Sequence, residues 1–192
     1  MTDEASLPAQ LEAEERALTI HEAGHVVVAQ ALGADVVSVE VYVNHPSPDD
    51  GMMGGGKTCC REPFVDDLKS LAVCVAGYKA ELAFAAEEQK LANMFAREER
   101  LTGDSRQLQE LLFRFPEAKR LAALVEGFTL ADVNLRANER AVRDIAHTLF
   151  ERRFADEARI EGEELAALLA GVREIYSTPR QEIPGHRPVA ST

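Results

Sequence analysis

The feature that most constrains this chain is a pair of histidines four residues apart in an otherwise apolar segment. His21 and His25 lie within residues 9–32, where apolar residues recur every three or four positions. This spacing predicts one long helix that ends at Gly33. Residues four apart share a helix face, so both imidazoles point to the same side. Burying them beside the carboxylate of Glu22 is costly without polar partners, which favours a functional site over simple packing.

The order His-Glu-x-x-His is typical of zinc hydrolases, in which the two histidines bind one ion and the glutamate holds the water that the ion activates. The alternative is a hydrogen-bonded pair of core histidines beside a surface glutamate. A catalytic zinc needs a third protein ligand. Val28 and Ala31 exclude the longer metzincin pattern. Glu81 and Asp104 are the remaining candidates, and Asp104 serves equally well as the N-cap of a helix.

The rest of the pattern predicts a mainly α (α+β) fold with a small sheet in a single domain over residues 9–172. Residues 1–8 are expected to be a flexible N-terminus and 173–192 a disordered tail. Val36 to Val43 alternates as a half-buried strand, with Val37, Val39, Val41 and Val43 on one face. Residues 45–56 are predicted to form a loop, and 57–61 a short strand. Further helices are predicted at 65–90, 104–115, 117–127, 130–154 and 162–169.

The amino-acid composition limits the classes of partner that this chain is expected to bind. The chain has 33 acidic and 21 basic side chains and a net charge of -12, which argues against binding nucleic acid or anionic membranes. It lacks an apolar run of the ~20 residues that span a bilayer, and its N-terminus is acidic, so we expect a cytoplasmic protein without a membrane partner. Cys59, Cys60 and Cys74 are an odd set with an adjacent pair. This set indicates reduced thiols rather than a disulfide framework.

A second motif in the sequence indicates a different function from that of the His-Glu-x-x-His motif. Gly51 to Thr58 matches the phosphate-loop pattern GxxxxGK[ST]. Such a loop directly follows a buried strand and opens a helix, whose N-terminus helps to bind phosphate. Here the predicted strand ends near Val43, and Pro63 would break a following helix in its second turn. We therefore interpret the segment as a glycine-rich loop that leads into a strand, with nucleotide binding as the less favoured alternative.

Residues 19–26, which read TIHEAGHV, resemble the signature of the FtsH-type, ATP-dependent metallopeptidases of family M41. Residues 72–82 look like that family's second helix, and 104–112 resemble the segment that carries its third zinc ligand. Residues 143–169 are similar to its C-terminal helices. The resemblance covers about residues 15–172.

This resemblance implies a zincin-like helical domain with a small sheet and the activity of a zinc metalloendopeptidase. It implies that His21, His25 and Asp104 bind Zn²⁺ and that Glu22 is the catalytic base, with Glu81 in a supporting role. A peptide or an unfolded protein would be the substrate. The ring assembly of the family makes a homo-oligomer a candidate state.

Two features of the sequence depart from the family pattern. If the glycines before the third ligand are aligned, Gln107 takes the place of Asp104 and implies a weakened site, since glutamine is a poor zinc ligand. The sequence also contains neither the ATPase module nor the transmembrane helices of the family, so the expected activity is ATP-independent. The rival expectation is a catalytically inactive zinc-binding scaffold that binds partner proteins.

Overall fold

The computed structural model describes residues 7–43, 54–86, 104–154 and 158–175. These residues form a mainly helical structure with a small three-stranded antiparallel sheet, which confirms the predicted α+β class. The helices are α1 (Leu7–Ala31), α2 (Asp67–Phe84), α3 (104–113), α4 (Glu117–Ala137), α5 (Glu139–Arg152) and α6 (Gly162–Leu169). The strands are β1 (Val36–Val43), β2 (Gly54–Cys60) and β3 (Ala158–Glu161).

Helix α1 lies at the centre of the core. Ala23 and the run from Val26 to Ala29 have no exposed surface, as expected where consecutive apolar residues cover all sides of one helical turn. Helices α2 and α5 pack against it, and so do β1 and β2. Gly33 ends the helix as predicted, with a φ of 90° that glycine adopts without strain. The helix that carries the histidine motif is therefore held in place by packing on several sides.

Helices α1 and α2 approach each other through a glycine. A Cβ atom added at Gly24 of α1 would lie 2.6 Å from the Cβ of Ala80 and 2.8 Å from the carbonyl oxygen of Ala76. Only a residue without a side chain permits this separation. The close approach brings the later residues of α2 against the face of α1 that carries the histidines.

The sheet has the order β2-β1-β3, and β1 pairs antiparallel with both neighbours. Strand β2 starts at Gly54, inside the predicted loop and three residues before the predicted strand, because its pairing with β1 overrides the low strand preference of glycine. The tyrosine ring of Tyr42 covers Gly55, where an added Cβ would lie 2.6 Å from the ring. Strand β3 was not predicted, since four residues are too few to show a period.

The predicted faces of β1 are correct for Val39 and Val41 and wrong at the start of the strand. Val37 is 39% exposed, whereas Ser38 is buried at 2%. The register between β1 and β2 shifts between Val36 and Ser38, and such an irregularity turns the side chains that precede it. The side chain of Val43 lies outside the described part of the structure.

The predicted break between the last long helices was wrong. Helix α4 continues past residue 127 to Ala137, and the chain breaks at Asn138 instead. The Asn138 side chain is buried and donates to the carbonyl oxygens of Asn134 and Arg173, at 2.8 and 2.9 Å, and accepts from the Arg173 N–H. Such side-chain bonds to backbone compete with helical hydrogen bonds. The prediction for α6 is confirmed at both ends.

Helix α2 begins at Asp67 and ends at Phe84, with Ala85 as its C-cap, rather than near residue 90. Predicted segments that fall on residues 1–6, 44–53, 87–103, 155–157 and 176–192 lie outside the described residues. No helix in the described ranges combines the length and the hydropathy that crossing a bilayer requires.

Candidate metal centre

Three polar side-chain atoms, two from α1 and one from α3, lie close together where the two helices meet. The Nε2 atom of His21 lies 3.0 Å from Nε2 of His25 and 2.9 Å from Oδ2 of Asp104. The third side of the triangle, from His25 Nε2 to Asp104 Oδ2, measures 3.4 Å. A tetrahedral zinc ion with bonds of ~2.0–2.1 Å separates its ligand atoms by roughly 3.3 Å. The three atoms are therefore spaced like ligands of a single ion.

The second nitrogen of each imidazole fixes which atom faces the triangle. His25 Nδ1 lies 2.7 Å from the carbonyl oxygen of Val73, and His21 Nδ1 lies 2.6 Å from Oε1 of Glu81. Both oxygens are acceptors, so each Nδ1 carries the hydrogen and donates it. Each Nε2 is then free to act as a ligand, which is the usual arrangement around metal-binding histidines.

This donor set calls for a positive charge at its centre. Two imidazole nitrogens and a carboxylate oxygen repel one another at these distances unless a proton or a metal ion lies between them. Burial lowers the pKa of His21, but hydrogen bonds to the carboxylates of Asp104 and Glu81 outweigh burial and raise the pKa to about 10. Burial raises the pKa of Asp104, yet the two histidines hold it far below its ordinary value. Nitrogen and carboxylate ligands of this kind suit zinc.

Glycine leaves the space that the imidazoles occupy. A Cβ atom added at Gly77 of α2 would overlap Nε2 of His21 and lie 2.6 Å from Nε2 of His25. A glycine inside a helix costs about 1 kcal/mol relative to alanine, so it needs a packing reason. Gly77 lies inside the helix predicted at residues 65–90, and a glycine at such a position is a sequence signal for close packing that the predicted site did not include.

Glu22 is buried beside the triangle and faces β2. One ligand atom each of His21, Glu22 and His25 lies within 4.8 Å of the others. The shorter distances from Asp104 to both histidines favour Asp104 as the third possible ligand and leave Glu22 next to the triangle. An added Cβ at Gly56 of β2 would lie 2.6 Å from Oε1 of Glu22. Burial raises the pKa of the Glu22 carboxyl above its ordinary value, and the charges of the nearby imidazoles oppose that rise.

The other predicted site residues have distinct places. Glu81 contacts the far nitrogen of His21 and not the triangle, so it orients the ring. Gln107 is exposed on α3. The structure therefore brings Asp104, and not Gln107, against the histidines.

The Cys74 thiol lies 3.5 Å from the backbone oxygen of Asp104. Burial, followed by the charge of Asp104, raises the pKa of this thiol to about 12.

The segment that matches a phosphate loop has a different structure over its described half. Lys57 and Thr58 lie within β2, where they pair with Glu40 and Val39 of β1. Helix α2 begins only at Asp67. The lysine and threonine of the motif are thus not at a helix N-terminus, which phosphate binding by this motif requires. Residues 51–53 lie outside the described part.

No protein-family model matches this sequence. A comparison with curated proteins finds no match either. The likeness to FtsH-type peptidases remains a prediction from the residues that carry it.

Proposed function

We propose that this chain is a zinc-dependent metallopeptidase. In this proposal His21, His25 and Asp104 hold the ion, and Glu22 is the general base. The observation that carries the proposal is the triangle of ligand atoms with sides of 2.9, 3.0 and 3.4 Å, with a buried carboxylate next to it. A zinc ion bound at the triangle lowers the pKa of a water molecule to about 7 and polarises a substrate carbonyl.

The side chains of the chain itself supply the proton transfers. Glu22 accepts a proton from the attacking water and returns it to the nitrogen of the leaving amine. Its burial at 6% exposure keeps the carboxylate out of bulk solvent, where an added proton would be lost quickly. Glu81 holds the ring of His21 in place through Nδ1, and such pairing strengthens an imidazole as a ligand.

The sheet supports a peptide as the substrate. Within the described residues β2 is an edge strand, since β1 pairs with it on one side only. An extended peptide that pairs with the open edge of β2 gains backbone hydrogen bonds. Gly56 of the same strand contacts Glu22, so a peptide bound there would pass the base. This arrangement favours an unfolded or extended chain over a small molecule.

A zinc-binding scaffold without activity is the rival function. Structural zinc sites are closed by four protein ligands. Among the described residues, three side chains form the triangle, and the fourth nearby group is Glu22, which lies one residue from His21 and touches β2. With these three ligands a bound ion would keep a coordination position for water, which favours a catalytic site.

Metal analysis and one substitution test the proposal. The purified protein should contain one zinc ion per chain and hydrolyse casein or a fluorogenic peptide. Glu22→Gln should keep the zinc and lower hydrolysis by about 10²-fold or more, because general base catalysis contributes at least that much. Glu163→Gln, an exposed change on α6, is the matched control and should leave both unchanged. A protein without stoichiometric zinc, or a Glu22→Gln variant with full activity, would refute the proposal.

A further inference from the structure

Thr58 of β2 points to the same side of the sheet as the proposed base. Side chains alternate along a strand, so residues 56 and 58 share a face. Gly56 on that face contacts the carboxylate of Glu22. The Thr58 hydroxyl also lies near the Glu22 carboxylate. Thr58 is therefore a neighbour of Glu22 across the interface between β2 and α1.

The hydroxyl of Thr58 lies near Glu22 but has no well-formed hydrogen bond within the described residues. Its Oγ1 atom is buried. A buried hydroxyl that forms no hydrogen bond destabilises a folded protein, whereas an apolar group of the same shape does not. Valine has that shape and also suits a β-strand. Stability therefore does not explain why a hydroxyl is at this position.

We propose that Thr58 is a positioning residue for Glu22, and that its hydroxyl donates a hydrogen bond to the Glu22 carboxylate when substrate is bound. The inference rests on the proposed peptidase function. A carboxylate has two oxygens and only accepts hydrogen bonds when charged. With one oxygen held by Thr58, the other faces the attacking water. Catalytic hydrogen bonds are often long in a substrate-free structure and shorten in the complex.

Two substitutions at Thr58 in the zinc-loaded protein test the inference. Thr58→Val removes the hydroxyl and keeps the shape, whereas Thr58→Ser keeps the hydroxyl. Activity on a fluorogenic peptide gives kcat and KM, metal analysis gives the zinc content, and thermal unfolding gives Tm. We expect Thr58→Val to lower kcat by about tenfold, a part of what general base catalysis contributes. KM should stay within about twofold, as for a group that acts only in the transition state.

The measurements other than activity separate positioning from a structural role. Zinc content should stay at one ion per chain in both variants. The Tm of Thr58→Val should equal or exceed that of the wild type, because the lost hydroxyl has no well-formed hydrogen bond within the described residues. Thr58→Ser should recover most of the lost kcat. Thr129→Val is the control, since the Thr129 hydroxyl bonds the Val125 carbonyl oxygen on the exposed side of α4.

Each contrary result has a distinct meaning. If kcat is unchanged in Thr58→Val while the wild type is active, the positioning role is wrong and the proposed function stands. A lower Tm or a lower zinc content shows a structural role for the hydroxyl instead, and a higher KM at constant kcat shows that it binds substrate. A wild type that binds zinc without cleaving peptide overturns the proposed function, and this inference with it.

Discussion

The side chains of His21 and Glu81 are joined by a 2.6 Å contact between Nδ1 and Oε1, across the interface of α1 and α2. The contact lies on the side of the imidazole opposite the triangle of ligand atoms. It fixes the ring orientation and places the hydrogen on Nδ1. The geometry of the candidate metal centre thus depends on a residue that does not belong to the triangle.

Glu81→Gln should weaken zinc binding without abolishing it. The amide oxygen can still accept from His21 Nδ1, but the negative charge is lost, and changes to such partners typically cost about 10–100-fold in affinity. Competition with a chelator measures the dissociation constant. Glu110→Gln, on the exposed side of α3, should bind zinc like the wild type. An unchanged affinity in Glu81→Gln would show that packing alone orients the ring.

Asp104→Ala should lose most of its zinc, because it removes one side chain of the triangle. Gln107→Ala changes an exposed residue on the same helix and should keep one ion per chain. Metal analysis after dialysis against a weak chelator gives both numbers. The opposite result, with zinc lost only from Gln107→Ala, would mean that the third ligand is misassigned.

Gly77→Ala should destabilise the protein and reduce zinc binding. Alanine normally stabilises a helix by about 1 kcal/mol relative to glycine. Here its Cβ would overlap His21 and come within 2.6 Å of His25 Nε2, and overpacking of this kind costs ~1–3 kcal/mol. Urea unfolding and metal analysis measure the two effects. Gly171→Ala is the control, since an added Cβ there meets nothing within 4 Å. Equal stability and zinc content in the two variants would contradict the close approach of α2.

Asn138→Ala should lower the free energy of unfolding by ~2–3 kcal/mol, because it removes three hydrogen bonds and leaves the Arg173 N–H without its acceptor. Urea unfolding gives the value. The zinc content should not change, since Asn138 lies away from the triangle. Gln109→Ala on the exposed side of α3 controls for the loss of an amide. A loss below about 0.5 kcal/mol, the range of ordinary surface changes, would show that the break between α4 and α5 does not depend on this side chain.

The sequence pattern predicted those helices and strands whose own residues indicate their type and their ends. Helix α1 has apolar residues at helical spacing and ends at Ala31, just before Gly33, and α6 begins at Gly162 with two acidic residues in its first turn. The start of β2 at residues 54–56 and the break at Asn138 carry no comparable signal, whereas the rest of β2 was predicted as a short strand at 57–61. The glycines of β2 form a strand where β1 pairs with them, and the Asn138 side chain at the helix break bonds the distant backbone of Arg173. These are tertiary effects that residue periodicity cannot contain.

The candidate metal centre likewise combines residues that a local pattern predicts with residues that only the tertiary structure brings together. His21, Glu22 and His25 lie on one helix, so their spacing alone places them together. Asp104 joins them from a point 83 residues beyond His21. The residues alone left Glu81 and Asp104 as candidates, and the family resemblance favoured Asp104. The carbonyl oxygen of Val73 had no sequence signal at all, because every residue has such an oxygen.

The contact between Gly56 and Glu22 separates two properties of the site. The three atoms of the triangle come from α1 and α3, whereas the space for the base is left by β2. One extra methyl group at residue 56 would displace the Glu22 carboxylate and leave the triangle untouched. If the proposed function holds, metal binding and catalysis can therefore be lost independently in this fold, and a chain with a larger residue at this point would bind the ion and lack activity.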